Sequence, residues 1–274
     1  MPRAIARDPL YRGCRHSADV IEQCVRWYIT YRLSCRDLVA ILMEREIAVS
    51  HTTILRWVQK YIPEFERRWA RFARPSGRSW RMDETVIKVR GVQHWLYRAV
   101  DRDGGSVHSM LSNVRNIAAA QAFFQGAVAK QGAQWPTTVN IDGNAGTLVG
   151  LNQLARNDRR WRNVTVRRNR YVNNLIEQDH RAVKRRNAAM HGLKSFGTAA
   201  ITLAGVELAH RIHKRQFDLP AGSPAERLSL KESWRCALSK WSEPGISSMS
   251  DGPPMHQISA TSTSNQARPP RRPG

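Results

Sequence analysis

The sequence has no run of about 18 apolar residues, so a membrane-spanning helix is not expected. Its basic start lacks an apolar segment, and no signal peptide is predicted. The four cysteines are scattered and form no C-x-x-C pair, which argues against a zinc ribbon and against a disulfide framework. We therefore expect a cytoplasmic protein with free thiols.

Acidic residues are also scarce. The 274 residues include 22 Asp and Glu against 44 Lys and Arg, which gives a formal net charge of +22. This excess is far larger than solubility requires, and it predicts a polyanionic partner, with nucleic acid as the first candidate. A membrane surface is a weaker candidate, because no amphipathic basic helix adjoins a long apolar one.

The N-terminal part of the chain predicts helices only. Residues 1–16 are expected to form a basic flexible arm, and residues 17–62 contain three short helical patterns. Ser34 and Asp37 have capping-box spacing at the start of the second helix, and Ser50 is placed to cap the third. Two short helices, a tight connector and a polar-basic third helix are typical of a helix-turn-helix.

The third helix presents a polar face that we expect to contact DNA, since a recognition helix places its first residues against base edges in the major groove. The residues expected to make these contacts are His51, Thr52, Thr53 and Arg56. The alternative is an ordinary three-helix core with a polar exposed face. Pro63 is expected to end this unit, and residues 63–79 to form a linker whose first part can be helical.

From Trp80 onward the pattern changes to that of strands and then alternates with helices. The predicted order is β-β-β-α-β-α-β-α, which favours an α/β fold over residues 80–220, with a mixed sheet and helices on its faces. Residues 221–274 predict a C-terminal extension that is largely disordered, with one helix near its start.

Three acids lie at positions that suggest chemistry. Asp83 lies inside the first strand, Asp142 ends the fourth, and Glu177 lies on a later helix. If the first and fourth strands are neighbours, Asp83 and Asp142 point into one crevice, and the helix can bring Glu177 there. Converging carboxylates repel one another unless a cation lies between them, and their oxygens suit Mg²⁺ or Mn²⁺. Two such ions support phosphoryl transfer. Taken singly, each acid is more often a turn residue or an ion-pair partner.

The helix with Glu177 belongs to the block YVNNLIEQDHRAVKRR, residues 171–186. Asn173 or Asn174 can cap it. Helical spacing places His180 and two cations on the same face as Glu177, namely Arg181 and Lys184. This face is a candidate DNA contact. The alternative is a solvated helix with ion pairs between residues four apart.

Several stretches together resemble the DDE transposases of bacterial insertion sequences, in particular the insertion-sequence-six family. They are WRMDETVIKVRG, HWLYRAVDRDG, YVNNLIEQDHRAVKRR, LKSFGTA and IHKRQF. The resemblance covers about residues 20–217. It implies an RNase H-like core preceded by an all-α helix-turn-helix domain. It also implies Asp83, Asp142 and Glu177 as catalytic residues and metal ligands, with Mg²⁺ as the cofactor and Mn²⁺ as a possible substitute.

The resemblance further implies an activity and its partners. Such an enzyme binds the terminal inverted repeats of its insertion sequence and cleaves and joins double-stranded DNA replicatively, forming cointegrates. Lys184 is implied as a contact to DNA near the cleaved end. A homodimer or higher oligomer on DNA and a bacterial, nucleoid-associated location are expected. Other readings are a DNA-binding remnant or repressor and a structure-selective nuclease.

One segment departs from the family pattern. After the second acid the family usually has a Lys and later an Ala-Tyr pair, whereas this chain reads IDGNAGTLV. Gly143 and Gly146 are expected to loosen this segment beside a metal ligand.

Overall fold

The computed structural model describes residues 8–132, 134–142, 144–168, 174–190, 193–219 and 228–239. Most of the predicted C-terminal extension lies outside these ranges, as do the first seven residues of the basic arm. Among the described residues, no helix is long and apolar enough to cross a membrane. All four cysteines are free thiols, as predicted.

The N-terminal part contains three α-helices where the sequence predicts them. After a short 3-10 turn they are α1 (Ala18–Thr30), α2 (Cys35–Met43) and α3 (His51–Ala70). The predicted caps are confirmed, because the hydroxyls of Ser34 and Ser50 accept hydrogen bonds from backbone N–H groups three residues later. At α2 the Asp37 carboxylate completes the capping box.

The end of α3 corrects the prediction that Pro63 terminates the helix. The helix passes through Pro63 and continues to Ala70, so the first part of the predicted linker is helical. A proline inside a helix costs about 3 kcal/mol. Phe65 and Trp69 beyond it are fully buried, and burying such side chains contributes about 1.5–3 kcal/mol each, which offsets that cost.

The described residues from Ser79 onward fold around a five-stranded sheet. Its strands are β1 (Ser79–Val89), β2 (Val92–Asp101), β3 (Ser106–Ser112), β4 (Thr138–Ile141) and β5 (Thr165–Arg168). Their spatial order is β3-β2-β1-β4-β5. The first three strands pair antiparallel, and β4 and β5 run parallel to β1. This confirms the mixed sheet and the adjacency of the first and fourth strands, and it is the RNase H-like arrangement.

Six further helices lie in the described ranges after β3. They are α4 (Ile117–Lys130), α5 (Ala145–Asn157), α6 (Arg159–Arg162), α7 (Asn174–Ala189), α8 (Phe196–His213) and α9 (Leu230–Ser239). Because successive side chains of a strand point to opposite faces, the sheet has two cores. Trp80 and Met82 pack with α4, α5 and α6, whereas Ile87 and Val89 pack with α7, α8, α9 and the N-terminal helices.

The N-terminal helices therefore share a hydrophobic core with α8. The contact is close at Gly205, where a Cβ atom would lie 2.4 Å from Ile62 Cδ1 and 3.0 Å from Ile29 Cγ2. On the α3 side, Gln59 donates a hydrogen bond to Thr202 Oγ1 at 3.0 Å. Since only glycine leaves room for Ile62, this position determines how closely α8 packs against α1 and α3.

Candidate active site

Two of the three predicted acids lie side by side where β1 meets β4. Met82 pairs with Ile141 in the parallel register, so Asp83 and Asp142 follow at equivalent positions. Carboxylate oxygens of Asp83, Glu84 and Asp142 all lie within 4.8 Å of one another. The sequence reading missed Glu84, although the adjacent acids in the strand-like pattern RMDETV were a visible signal.

The electrostatics of this carboxylate cluster (Asp83, Glu84, Asp142) favour a bound cation. The pKa of Asp83 is raised to about 7; burial is the largest cause, and the nearby charges of Asp142 and Glu84 act in the same direction. The backbone N–H of Glu84, which donates to Asp83 Oδ1 at 2.8 Å, and the Arg115 guanidinium both lower it. A proton or a cation relieves the repulsion among these groups.

Glu84 has a second role, because its carboxylate also serves as a hydrogen-bond acceptor for α5. Glu84 Oε1 accepts from Asn144 Nδ2 at 3.0 Å and from the buried Thr147 hydroxyl at 2.8 Å. Asn144 in turn caps α5, and its backbone N–H donates to Asp142 Oδ1 at 3.0 Å. Glu84 therefore connects β1 to the segment that holds Asp142.

The same hydrogen-bond network includes one of the two glycines that follow Asp142. Gly146 lies in the first turn of α5, where its N–H donates to Asn144 Oδ1 at 3.0 Å. The expected loosening at Gly146 stays a prediction, and the hydrogen bond to the Asn144 cap acts against it. Gly143 lies outside the described residues.

The predicted helix with Glu177 is α7, and it packs against β1 and β2. Glu177 itself is exposed, 3.6 Å from Arg181, and the structure does not place it in the carboxylate cluster. One turn later, His180 is buried, with its Nδ1 3.6 Å from Asp83 Oδ2. Asn174 belongs to the helix itself, and the other candidate cap, Asn173, lies outside the described residues.

His180 was expected on the same face as Glu177, but it points to the buried side of α7. The buried pair Arg98 and Glu207 nearby was not identified from the sequence. The pKa of His180 is lowered to about 3; burial is the largest cause, and the Arg98 and Lys184 charges act in the same direction. The imidazole is therefore neutral at physiological pH. Arg98, opposite Asp83 in the β1–β2 register, donates to Glu207 on α8 at 2.7 Å, and both side chains are almost fully buried. An arginine inside the apolar strand pattern HWLYRAVD was the available signal.

The predicted DNA contacts lie on accessible surfaces. His51, Thr52 and Arg56 on α3 are exposed, while Thr53 is half-buried and shares a 2.9 Å hydrogen bond with the Ser50 hydroxyl. On α7, the two cations predicted to contact DNA are also exposed, namely Arg181 and Lys184. Contact with DNA stays a prediction at each position.

A carboxylate cluster at the junction of the first and fourth strands of this sheet defines the class of RNase H-like enzymes with a DDE site. Residues 77–216 match the DDE_Tnp_IS240 family, whose description is DDE domain. Two curated Staphylococcus aureus proteins are 33% identical over 223 residues, which is 80% of this chain and 97% of theirs. One is the transposase for insertion sequence-like element IS431mec of strain Mu50, and the other that for element IS257 in transposon Tn4003. The chain belongs to the DDE transposases of insertion sequences, in the IS6 family.

The HTLV-2 integrase catalytic core domain in complex with magnesium matches in its dimeric form with a TM-score of 0.34 and 17% identity, over 40% of this chain and 69% of that one. Its trimeric form matches with a TM-score of 0.38 and 13% identity, over 55% of this chain and 93% of that one.

Proposed function

We propose that this transposase binds the terminal inverted repeats of its insertion sequence and catalyses metal-dependent DNA cleavage and strand transfer, moving replicatively through cointegrates. The main support is the position of Asp83 and Asp142, side by side on neighbouring parallel strands in a chain of charge +22. The product of one step, a free 3′-hydroxyl, is the nucleophile of the next.

The donor set fits a divalent ion. The clustered ligand atoms are all carboxylate oxygens, the type that hard ions such as Mg²⁺ and Mn²⁺ prefer. Asp83 and Asp142 would hold the metal, with Glu177 completing the site from α7. When bound, Mg²⁺, or Mn²⁺ in its place, would lower the pKa of the attacking water or hydroxyl and stabilise negative charge on the phosphate and leaving oxygen.

The surrounding residues position the ligands and the DNA. Glu84 holds Asp142 in place through Asn144. Neutral His180 fills the space beside Asp83 and keeps water from the buried side of that carboxylate. The exposed cations of α7, Arg181 and Lys184, would contact phosphates on either side of the reacting bond.

The reaction is two successive displacements at phosphorus. In the first, a water oxygen attacks the phosphodiester at the transposon end, and the 3′-oxygen leaves as a free hydroxyl. In the second, that 3′-hydroxyl attacks a phosphodiester of target DNA, and the 3′-oxygen of the target leaves. Because both ends must be paired, we expect a homodimer or higher oligomer on DNA.

One observation favours a second candidate function. Glu177 lies outside the carboxylate cluster, so a catalytically impaired protein that binds the ends and acts as a repressor is the alternative. A cell-based joining assay separates the two candidates. A donor plasmid carries the element's own ends, and the chain is supplied as wild type, as Asp142→Asn, or as the control Asp103→Asn in the β2–β3 turn.

We expect cointegrates from the wild type and from Asp103→Asn, and none from Asp142→Asn. If no variant yields cointegrates while each still binds the ends in a gel-shift assay, the repressor function replaces the enzymatic one. End recognition is tested with Arg56→Ala, which should weaken binding to the cognate end more than to unrelated DNA. An equal loss on both would mean that Arg56 contacts only phosphate.

A further inference from the structure

The edge of the sheet next to the carboxylate cluster carries a second basic surface, separate from α3 and α7. It consists of arginines on α5, α6 and β5, and we call it the arginine edge (Arg156, Arg159, Arg160, Arg162, Arg167, Arg168). All six side chains are exposed, and the only acid within this stretch is Asp158. Such a density of one charge on one edge attracts a polyanion such as DNA.

Two of these arginines have structural partners. Arg160 forms an ion pair with Asp158 at 2.8 Å and lies over the Trp135 ring, 4.6 Å from its centroid. Arg162 donates from Nε to the Ala155 carbonyl at 2.8 Å, at the end of α5. The remaining four are exposed guanidiniums for which no ion pair is found in the part of the chain that the structure describes. They are Arg156, Arg159, Arg167 and Arg168.

The register connects this surface to the reaction site. β5 is the outermost strand and pairs parallel with β4, with Arg168 opposite Ile141. Asp142 is the next residue, so Arg168 lies one strand spacing, about 4.8 Å, from the backbone that presents a catalytic acid. Because successive side chains alternate, Arg167 and Arg168 point to the two sides of this edge. Phosphates held there would continue into the carboxylate cluster.

The helices of the arginine edge, α5 and α6, lie on the opposite side of the sheet from α3, while the β5 arginines project to both sides. The α3 helix packs in the core shared with α7 and α8, whereas α5 and α6 pack in the other core. Strand transfer requires two DNA segments at one site, the transposon end and the target. We propose that the arginine edge holds the target duplex through its phosphates without reading its sequence, while α3 binds the transposon end. This inference rests on the proposed function.

The test compares two variants that lose the same charge. The edge variant replaces the four unpaired arginines by alanine (Arg156, Arg159, Arg167, Arg168). The control replaces four exposed cations elsewhere by alanine (Lys88, Arg102, Lys231, Arg235). Thermal unfolding confirms that both variants fold. Three readouts follow on each full chain: binding to a labelled duplex of unrelated sequence across a salt series, binding and cleavage of the cognate end, and joining of a pre-cleaved end to target DNA.

We expect the edge variant to bind and cleave the cognate end like the control, while joining falls by about tenfold or more. Its affinity for unrelated duplex should depend less on salt, with the slope of log affinity against log salt lower by about 3–4, because each lost phosphate contact removes about 0.9. Equal joining, or an equal salt slope, in edge and control variants would overturn the proposal.

Two further outcomes are informative. If the edge variant loses cognate-end binding together with joining, the edge binds the transposon end, and the assignment to target DNA is wrong. If even the wild type cleaves no ends, the proposed function fails by itself. The salt series on unrelated duplex still decides whether the arginine edge binds DNA. If the edge variant and the control have the same slope of log affinity against log salt, the arginine edge does not bind DNA.

Discussion

Glu84 offers the sharpest test of how the site is built, because it could act as a third metal ligand or as a support for Asp142. Its side chain is only 2% exposed, and Oε1 accepts hydrogen bonds from Asn144 and Thr147. We expect the support role to dominate. The test compares Glu84→Gln, which keeps the accepting oxygen, with Glu84→Ala, which removes it.

The structure sets the size of the effects. In Glu84→Ala the buried Thr147 hydroxyl loses its acceptor, and a buried unsatisfied donor costs about 1–3 kcal/mol. A loss of about 2 kcal/mol lowers Tm by about 4–8 °C in a protein of roughly this size. Glu84→Gln gives up mainly the 3.4 Å ion pair with half-exposed Arg115, which is worth about 1 kcal/mol or less.

Metal affinity distinguishes the two roles of Glu84. Mn²⁺ affinity is measured by calorimetry on the full chain for the wild type, Glu84→Gln, Glu84→Ala and Asp83→Asn, alongside Tm. Asp83→Asn should lower the affinity by more than about tenfold, since even groups outside the coordination sphere have effects of that size. Glu84→Gln should bind Mn²⁺ like the wild type. A loss in Glu84→Gln equal to that in Asp83→Asn would show that Glu84 is a ligand and refute the reasoning.

Three further predictions concern catalysis and stability. Glu177→Gln should abolish strand joining while end binding in a gel shift stays near wild type. Gly205→Val should lower Tm because its side chain has no space beside Ile62; overpacking of this kind costs about 1–3 kcal/mol. Glu207→Gln should destabilise the fold by about 3–5 kcal/mol at neutral pH, measured by urea unfolding, because it removes the carboxylate charge from a buried ion pair with Arg98.

The effect of Glu207→Gln on stability should depend on pH. Burial by itself would raise the pKa of Glu207, but the Arg98 charge, with His210 and others, holds it well below the usual value. A pKa lowered in the folded state stabilises the protein above the unfolded value, near 4.3, and that stability is lost as the pH falls below it. The difference in the free energy of unfolding between the wild type and Glu207→Gln should therefore decrease below about pH 4.

Each of these expectations has a clear contrary result. Joining by Glu177→Gln would remove that residue from the catalytic set. An unchanged Tm for Gly205→Val would mean that α8 does not need its close approach to α3. A stability gap for Glu207→Gln that stays constant with acidification would show that the Arg98 pair does not depend on an ionised carboxylate.

The sequence alone determined most of the local structure and the meeting of two acids of the site, Asp83 and Asp142. Side-chain caps such as Ser34 and Ser50 act within a few residues, so helix starts were predictable. The alternation of apolar and polar residues identified the strands, and the order of helices and strands suggested that the first strand lies beside the fourth. Asp83 and Asp142 then had to meet, because equivalent positions of adjacent parallel strands lie at one edge.

Only the tertiary structure decided the features that depend on distant partners. The α3 helix continues past Pro63 because Phe65 and Trp69 both pack against Trp234 on α9, which no local rule reveals. Arg98 becomes buried because Glu207 reaches it from α8, 109 residues along the chain. The side on which a helix meets a sheet is set by packing, and this packing buries His180 against Asp83 while Glu177, one turn earlier, stays exposed.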